Sequence, residues 1–355
     1  MFLVILSMRK VDYLIVGQGL AGSCLALELF KRDKSFFIID NQQPHTASKV
    51  AAGLFNPITG RTNQPTWKAA EIFQSLHSFY GEAEQVTGEK FINRLPIYRP
   101  FLSAQEQMSW PAASNPWVAR VFSGARFPEF LNDPFGGIEI HTSGFLNTRI
   151  FLEVVRKMML EQGRLVEEVF DHSELQSGEK IQYKNTEAGK IIFCDGTDVH
   201  SNPFFGWTPI KKLKGELLTV MTKLPLDVII NRGIFAVPTG EPETFIMGST
   251  YQHDLTPGNT PAGIHELVSR AKILFKNDFE IISQNWGHRP TTPDRRPLLG
   301  SHPEHKNICL FNGLGTKGVS LAPFFAVLLA DWLEGKADLD NEVNIERFYS
   351  LYFTI

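Results

Sequence analysis

Residues 17–22 read Gly17-Gln18-Gly19-Leu20-Ala21-Gly22, a glycine spacing that lets phosphate groups approach bare backbone. In such a run Gly17 permits the tight turn, Gly19 leaves room for a pyrophosphate, and Gly22 lets the next helix sit close to the preceding strand. The helix that starts here aims free N–H groups and the positive end of its dipole at the phosphates. Asp40, followed by Asn41, stands 18 residues beyond Gly22. A carboxylate there accepts hydrogen bonds from ribose hydroxyls and repels a 2′-phosphate, which argues against NADP. The motif alone does not separate FAD from NAD, and a glycine-rich turn in another α/β fold is its bland alternative.

A second glycine run, Gly313-Leu314-Gly315-Thr316-Lys317-Gly318, follows the apolar stretch ICLFN at 308–312 and precedes an apolar helix, VSLAPFFAVLLADWLEGK. Only 37 residues remain after Gly318, with no strand to carry a second ribose-binding acid. The run therefore reads as a loop that brings a second helix N-terminus to the same cofactor, where its dipole offsets negative charge on a reduced flavin ring. A plain strand-to-helix turn is the alternative. Lys317 is the cation of this loop, either beside the flavin or in solvent. Between the two runs, GHRPTTPDRRPLLG at 287–300 reads as a polar, proline-rich loop between apolar stretches. The guanidinium of Arg289 suits a bidentate clamp on a substrate carboxylate, or equally an ordinary structural ion pair.

The elements that must hold these residues are legible from periodicity. VDYLIV (11–16), LALELFKR and FFIID form a βαβ unit. TWKAAEIFQSLHSFY (66–80), TRIFLEVVRKMMLEQ (148–162) and residues 261–277 read as helices. The second has Thr148 as N-cap and Gly163 as its stop. The Pro-, Trp- and Phe-rich stretch 100–137 is read chiefly as an irregular cover on the core, and otherwise as a pocket lining. Asn56-Pro57-Ile58-Thr59-Gly60-Arg61 is read as a loop whose Asn56 and Arg61 touch substrate, or as a turn that merely starts the next helix.

Composition bounds the function. The chain has 355 residues, 43% hydrophobic and 21% charged, enough for more than one domain and its core. A net charge of −3 argues against nucleic acid as a partner. Lys211, Lys212 and Lys214 are one small candidate for a basic patch, read as a solvated loop. Cys24, Cys194 and Cys309 form no CxxC, and the histidines form no HExxH. We expect neither disulfide nor metal site, and a cytoplasmic location. Phe2–Leu6 is too short for a signal-peptide core, and Met8 is an alternative start. Pro323 and Asp331 interrupt the apolar run Val319–Leu333, which suits a buried helix better than a membrane span.

Together, GxGxxG at 17–22, GHRPTTPD near 290 and GLGTKGVSLAP near 315 resemble the FAD-dependent D-amino-acid oxidase superfamily, especially its glycine oxidase and D-amino-acid dehydrogenase branch. The resemblance covers nearly the whole chain. It implies an α/β fold: a Rossmann-like FAD domain of the p-hydroxybenzoate-hydroxylase type (8–80, 141–208 and 287–355) and an antiparallel-sheet substrate domain (81–140 and 209–286). It places Ser48, Lys49, Ala52, Gly53 and Leu54 beside the pyrophosphate and flavin. It puts the Val169 backbone on adenine, and Asp195 and Gly196 in a turn close to the cofactor. Lys214-Gly215-Glu216 resembles a family turn, and 235–238 with 245–250 a hairpin of the substrate domain. Arg289 matches the family's carboxylate-binding arginine. The implied reaction passes a hydride from the substrate carbon to N5 of non-covalent FAD, with no obligatory protein base. Phe235 stands where glycine oxidases have a tyrosine that helps grip the carboxylate. The expected partner is a small amine or amino acid. Alternatives are an oxidase acting on carboxymethylaminomethyl-type modified uridine in tRNA, a non-catalytic flavin-binding protein, and an NAD-dependent dehydrogenase.

Overall fold

The computed structural model describes residues 8–59, 64–110, 115–253 and 255–354. Two eight-stranded sheets organise the chain. The first has the strands Leu165–Glu167, Phe36–Asp40, Arg9–Val16 and Thr186–Phe193 side by side and parallel, with Ile308–Asn312 parallel to the last of them. Leu298–Ser301 and the hairpin Leu175–Ser177/Ile181–Tyr183 extend it antiparallel. The central strands read as continuous apolar runs because both their faces are covered. Four of five residues in Phe36–Asp40 and all of Ile308–Asn312 are buried.

Helices Leu20–Lys31, Gly318–Leu333, Thr148–Glu161 and Ala69–Thr87 share the core on one face of this sheet. Fully buried Tyr80, Phe91 and Phe151 meet there edge to face, with Phe151 centroids 5.3 Å from each of the other two. The Tyr80 hydroxyl donates to the Val319 carbonyl at 2.9 Å, tying two of these helices together. Asn147, not Thr148, caps the helix Thr148–Glu161. Its Oδ1 accepts from the Ile150 N–H, while the Thr148 hydroxyl donates to the Ala51 carbonyl. Gly163, at φ +65°, follows the helix as expected. The helix expected over 261–277 ends at Leu274.

The second sheet runs in the order Glu280–Thr291, Lys211–Met221, Thr244–Gly248, Ile234–Pro238, Ile229–Arg232, Ile97–Pro100, Gly137–Ile140 and Val118–Phe122. Every neighbouring pair is antiparallel except Ile229–Arg232 with Ile97–Pro100. The alternation of side chains separates its two faces. Leu218, Val220, Ile230, Ala236 and Met247 pack with the helix Pro261–Leu274. Leu217, Ile229, Val237, Ile97 and Ile138 pack toward Ala52 and Ile58 of the flavin-side segment.

Three readings are corrected here. Gly287–Thr291 is not loop but the end of the twelve-residue strand Glu280–Thr291, and the turn begins only after it. Lys214-Gly215-Glu216 is not a turn but lies inside Lys211–Met221. Lys214 is not solvated either: it is fully buried and pairs with equally buried Glu216 at 3.2 Å. Among the described residues, no helix is long and apolar enough to cross a membrane.

Candidate active site

A cleft of about 2580 Å3 runs from the first glycine run, past the flavin-side segment, onto the second sheet. That exceeds the space one small ligand fills, roughly 300–1,000 Å3, and suits a dinucleotide with a substrate beside it. At its first end, Gly17 has φ +96°, and a Cβ there would lie 2.6 Å from the Cys194 carbonyl oxygen. A Cβ on Gly22 would lie 1.9 Å from the Gly17 carbonyl oxygen, so the helix seats on its own turn only with glycine. Gly19 caps the helix Leu20–Lys31 without any side-chain bond. The Leu20 N–H donates to the Ser48 hydroxyl at 3.1 Å. Gly17, Gly19, Leu20 and Ala21 line the cleft, but Gln18, Gly22 and Lys49 do not. Gln18 turns inward to donate to Ser23 and the Leu152 carbonyl, and the Lys49 ammonium donates to the Gln43 carbonyl.

Asp40 and Asn41 line the cleft at the end of their strand. Asp40 already accepts from the Gln18 and Gln42 N–H groups and pairs with Arg156 at 2.6 Å. Arg156 comes from the helix Thr148–Glu161, and the sequence reading missed it. Oδ2 accepts two of these bonds and Oδ1 one, which leaves Oδ1 an acceptor position for a ribose hydroxyl. Exposed Val169 also lines the cleft, beyond the strand paired with Phe36–Asp40. Asp195 and Gly196 follow Thr186–Phe193. The Asn202 and Asn312 amides donate to Asp195 at 2.8 and 2.9 Å, yet burial outweighs them and pushes its carboxyl up to about 7.

The second glycine run lines the same cleft as the first. Gly313 and Gly315 take positive φ of 75° and 56°. A Cβ on Gly318 would come within 3.1 Å of Leu20, which brings the starts of the two glycine-run helices together. The helix Gly318–Leu333 also starts without a side-chain cap. Lys317 does not point to solvent: its ammonium donates to the Thr66 hydroxyl, and burial, then Arg295 and Arg296, lower its pKa. Leu314 and Thr316 line the cleft with it. Two uncapped helix starts, glycines whose Cβ atoms have no room, and an acid at the strand end could hold a flavin dinucleotide.

Ala52, Gly53, Leu54 and Asn56 lead the cleft onto the second sheet. The Asn56 side-chain Oδ1 accepts from the Ile58 N–H, leaving its Nδ2 amide group for other partners. Arg61 lies outside the described residues. Arg289 lies half-buried on the sheet, its guanidinium stacked on the backbone of Gly215; a Cβ there would sit 2.0 Å from Nη2. Nη1 donates to the Thr250 carbonyl at 3.3 Å, and the Tyr251 ring stands 5.1 Å from Cζ. Among the described residues no carboxylate pairs with Arg289, and burial lowers its pKa without removing its charge. Phe235 lines the cleft on the same sheet face, opposite Gly248. The stretch 100–137 does more than cover the core: Leu102, Glu106 and Trp110 line this cleft. Arg99, Asn231, Arg232 and Tyr251 do so too, and no motif marked them. Among the described residues, no group of three or more His, Cys, Asp or Glu is placed to hold a metal.

With this geometry in place, the family model "DAO: FAD dependent oxidoreductase" matches residues 12–332. The chain belongs to that family. It is 26% identical over 366 residues to the bifunctional protein ThiO/ThiG of Trichormus variabilis, covering 95% of this chain and 55% of that protein. The chain thus spans about half the length of the first curated relatives it matches. It is 24% identical to the glycine oxidase of Bacillus subtilis, over 92% of this chain and 94% of that one. The crystal structure of glycine oxidase from Geobacillus kaustophilus superimposes with a TM-score of 0.78 at 22% identity, covering 94% and 97% of the two chains. By family, then, the chain belongs with the FAD-dependent oxidoreductases.

Proposed function

We propose that the chain oxidises a small amine that carries a carboxylate, using non-covalent FAD. The observation that carries this reading is Arg289, a charged, half-buried guanidinium on the cleft wall with no carboxylate partner among the described residues. Gly215 below it, the Thr250 carbonyl and the Tyr251 ring hold its plane, so that one edge is preset for a bidentate carboxylate. Preorganisation of this kind fixes the substrate's reacting carbon at little entropic cost during the reaction. Bound FAD supplies the two-electron acceptor that takes the hydride. The cofactor contacts proposed are the backbone of 17–21, Asp40 and Asn41 at the ribose, and Ser48 and 52–54 along the flavin side. Val169 at the adenine, Asp195 with Gly196, and the 313–318 loop complete them. Gln18, Gly22 and Lys49 support this cradle from behind. The similarity to glycine oxidases favours glycine, N-substituted glycines and D-amino acids as first candidates.

Anaerobic addition of these amines to the FAD-loaded protein tests the reading. We expect the flavin absorption to bleach with carboxylated amines and not with their decarboxylated analogues. Arg289→Ala should lower kcat/KM for the carboxylated amines by about 2–4 kcal/mol, the cost of losing one buried charged partner. Equal bleaching by both kinds of amine, or unchanged kinetics in the variant, would remove Arg289 from the substrate site.

A further inference from the structure

The cleft face of the second sheet has two places where a side chain is missing and neighbours fill the gap. Gly215 is the first, occupied by the Arg289 guanidinium. Gly248 is the second, paired with Leu217 on one side and Phe235 on the other. A Cβ on Gly248 would run into Leu217 Cδ2 and come within 3.3 Å of Phe235 Cζ. Both side chains therefore lean in over the glycine and meet there. Leu217 and Phe235 line the cleft, and their strands stand two steps of about 4.8 Å apart, roughly 10 Å. Gly215 and Leu217 are two residues apart on one strand, so they share this face at a spacing of about 7 Å. A polar clamp and an apolar floor thus lie side by side on one wall. Leu54 of the flavin-side segment and Trp110 pack against the same apolar cluster and also line the cleft. Asn231, paired with Phe235, bounds the floor on its far side.

We infer that Leu217 and Phe235 are specificity-determining residues, and that the substrate carries, beside its carboxylate and amine, an apolar group about the size of one ring or a branched chain. This rests on the proposed carboxylate role of Arg289, and it narrows the candidates away from glycine itself. A carboxylate held over Gly215 brings the atoms next to it onto the floor made by Leu217 and Phe235. Glycine has nothing to place there and would leave that surface in water. An apolar group removes its own surface and that of the floor from water together. Phe235 has no hydroxyl, so a polar arm laid on it would lose water without gaining a hydrogen bond from that ring. The extent of the floor, about 10 by 7 Å, suits one ring rather than a long chain. The cleft has the room: its 2580 Å3 is more than twice the roughly 1,000 Å3 at the upper end for one small ligand.

The test uses the FAD-loaded protein and two series of carboxylated amines: α-amino acids of both hands and N-substituted glycines. Each series carries methyl, isobutyl and benzyl arms, with polar arms of matched size. We expect kcat/KM for an isobutyl or benzyl arm to exceed that for glycine by about tenfold or more, and the two series to show whether the group sits on carbon or on nitrogen. Phe235→Ala should collapse the ratio between benzyl and methyl arms, and Phe235→Leu should restore part of it. The same comparison is made by binding, through the perturbation of flavin absorption by acetate, isovalerate and phenylacetate. A kcat/KM for glycine that equals or exceeds every apolar arm overturns the inference, whether or not the variants fold. Polar arms that perform as well as apolar arms of the same size do so too, as does a ratio unchanged in Phe235→Ala. Phenylacetate that outbinds acetate in the wild type but not in Phe235→Ala, while no amine bleaches the flavin, would instead sink the oxidation reading and leave the apolar floor standing.

Discussion

At the scale of single residues, the site depends on groups that are small or absent as much as on those that react. Gly215 is the clearest case, because the Arg289 guanidinium occupies the space its Cβ would take. Gly215→Ala should displace the guanidinium, and kcat/KM for carboxylated amines should fall toward the Arg289→Ala level while FAD content stays full. Full activity in that variant would mean the arginine works from another position. Asp195 is a second residue with a measurable signature. Its carboxyl, raised from 3.8 to about 7 by burial, keeps in the fold a proton that the unfolded chain has released. Stability therefore declines through this group as pH rises from about 4 to 7. Asp195→Asn removes the titration, and the pH dependence of the unfolding free energy should flatten over that window. An unaltered slope would show that the carboxyl titrates normally.

Elements explain which parts of the site were legible in the sequence. Both glycine runs were, because their reasons are local: a strand, a turn and a helix in one contiguous stretch. The same holds for the strands and helices with clear periodicity. Gly215 was not, since its partner Arg289 lies on the neighbouring strand. Arg99 and Asn231 were not, because strand pairing rather than sequence sets them level. The prolines of 287–300 suggested a loop, yet Pro290 sits in an edge strand, opposite Lys212. Pairing on one side only tolerates proline there. The lysine run at 211–214 suggested solvent, but a strand places alternate residues on opposite faces and buries Lys214. The helix Thr148–Glu161 was placed correctly but its cap was one residue off, since Thr148 spends its hydroxyl on another segment. Asn147→Ala should cost about 1 kcal/mol in denaturant unfolding. A loss as large in Thr148→Val and none in Asn147→Ala would reverse the assignment.

At the scale of the molecule, one cleft joins a parallel sheet suited to a dinucleotide and an antiparallel sheet that carries Arg289. FAD bound across the two glycine runs should stabilise the fold by mass action, about 2.7 kcal/mol at a hundredfold excess over Kd. The melting temperature of flavin-stripped protein should rise when FAD is added. Gly19→Val, which places a branched side chain over the helix start, should show no such rise and no yellow colour. A fully loaded variant would place the pyrophosphate elsewhere.

The Gly315 N–H donates to the Pro290 carbonyl at 2.8 Å. That bond joins the second glycine run to the residue after Arg289. The anchor for the substrate and the loop proposed to face the flavin are thus one mechanical part, and a mutation that moved either would misalign both. Changes in specificity, whether by drift or by laboratory selection, should therefore accumulate on the opposite bank, around Arg99, Glu106 and Arg232, where side chains can be exchanged without disturbing the distance from anchor to cofactor.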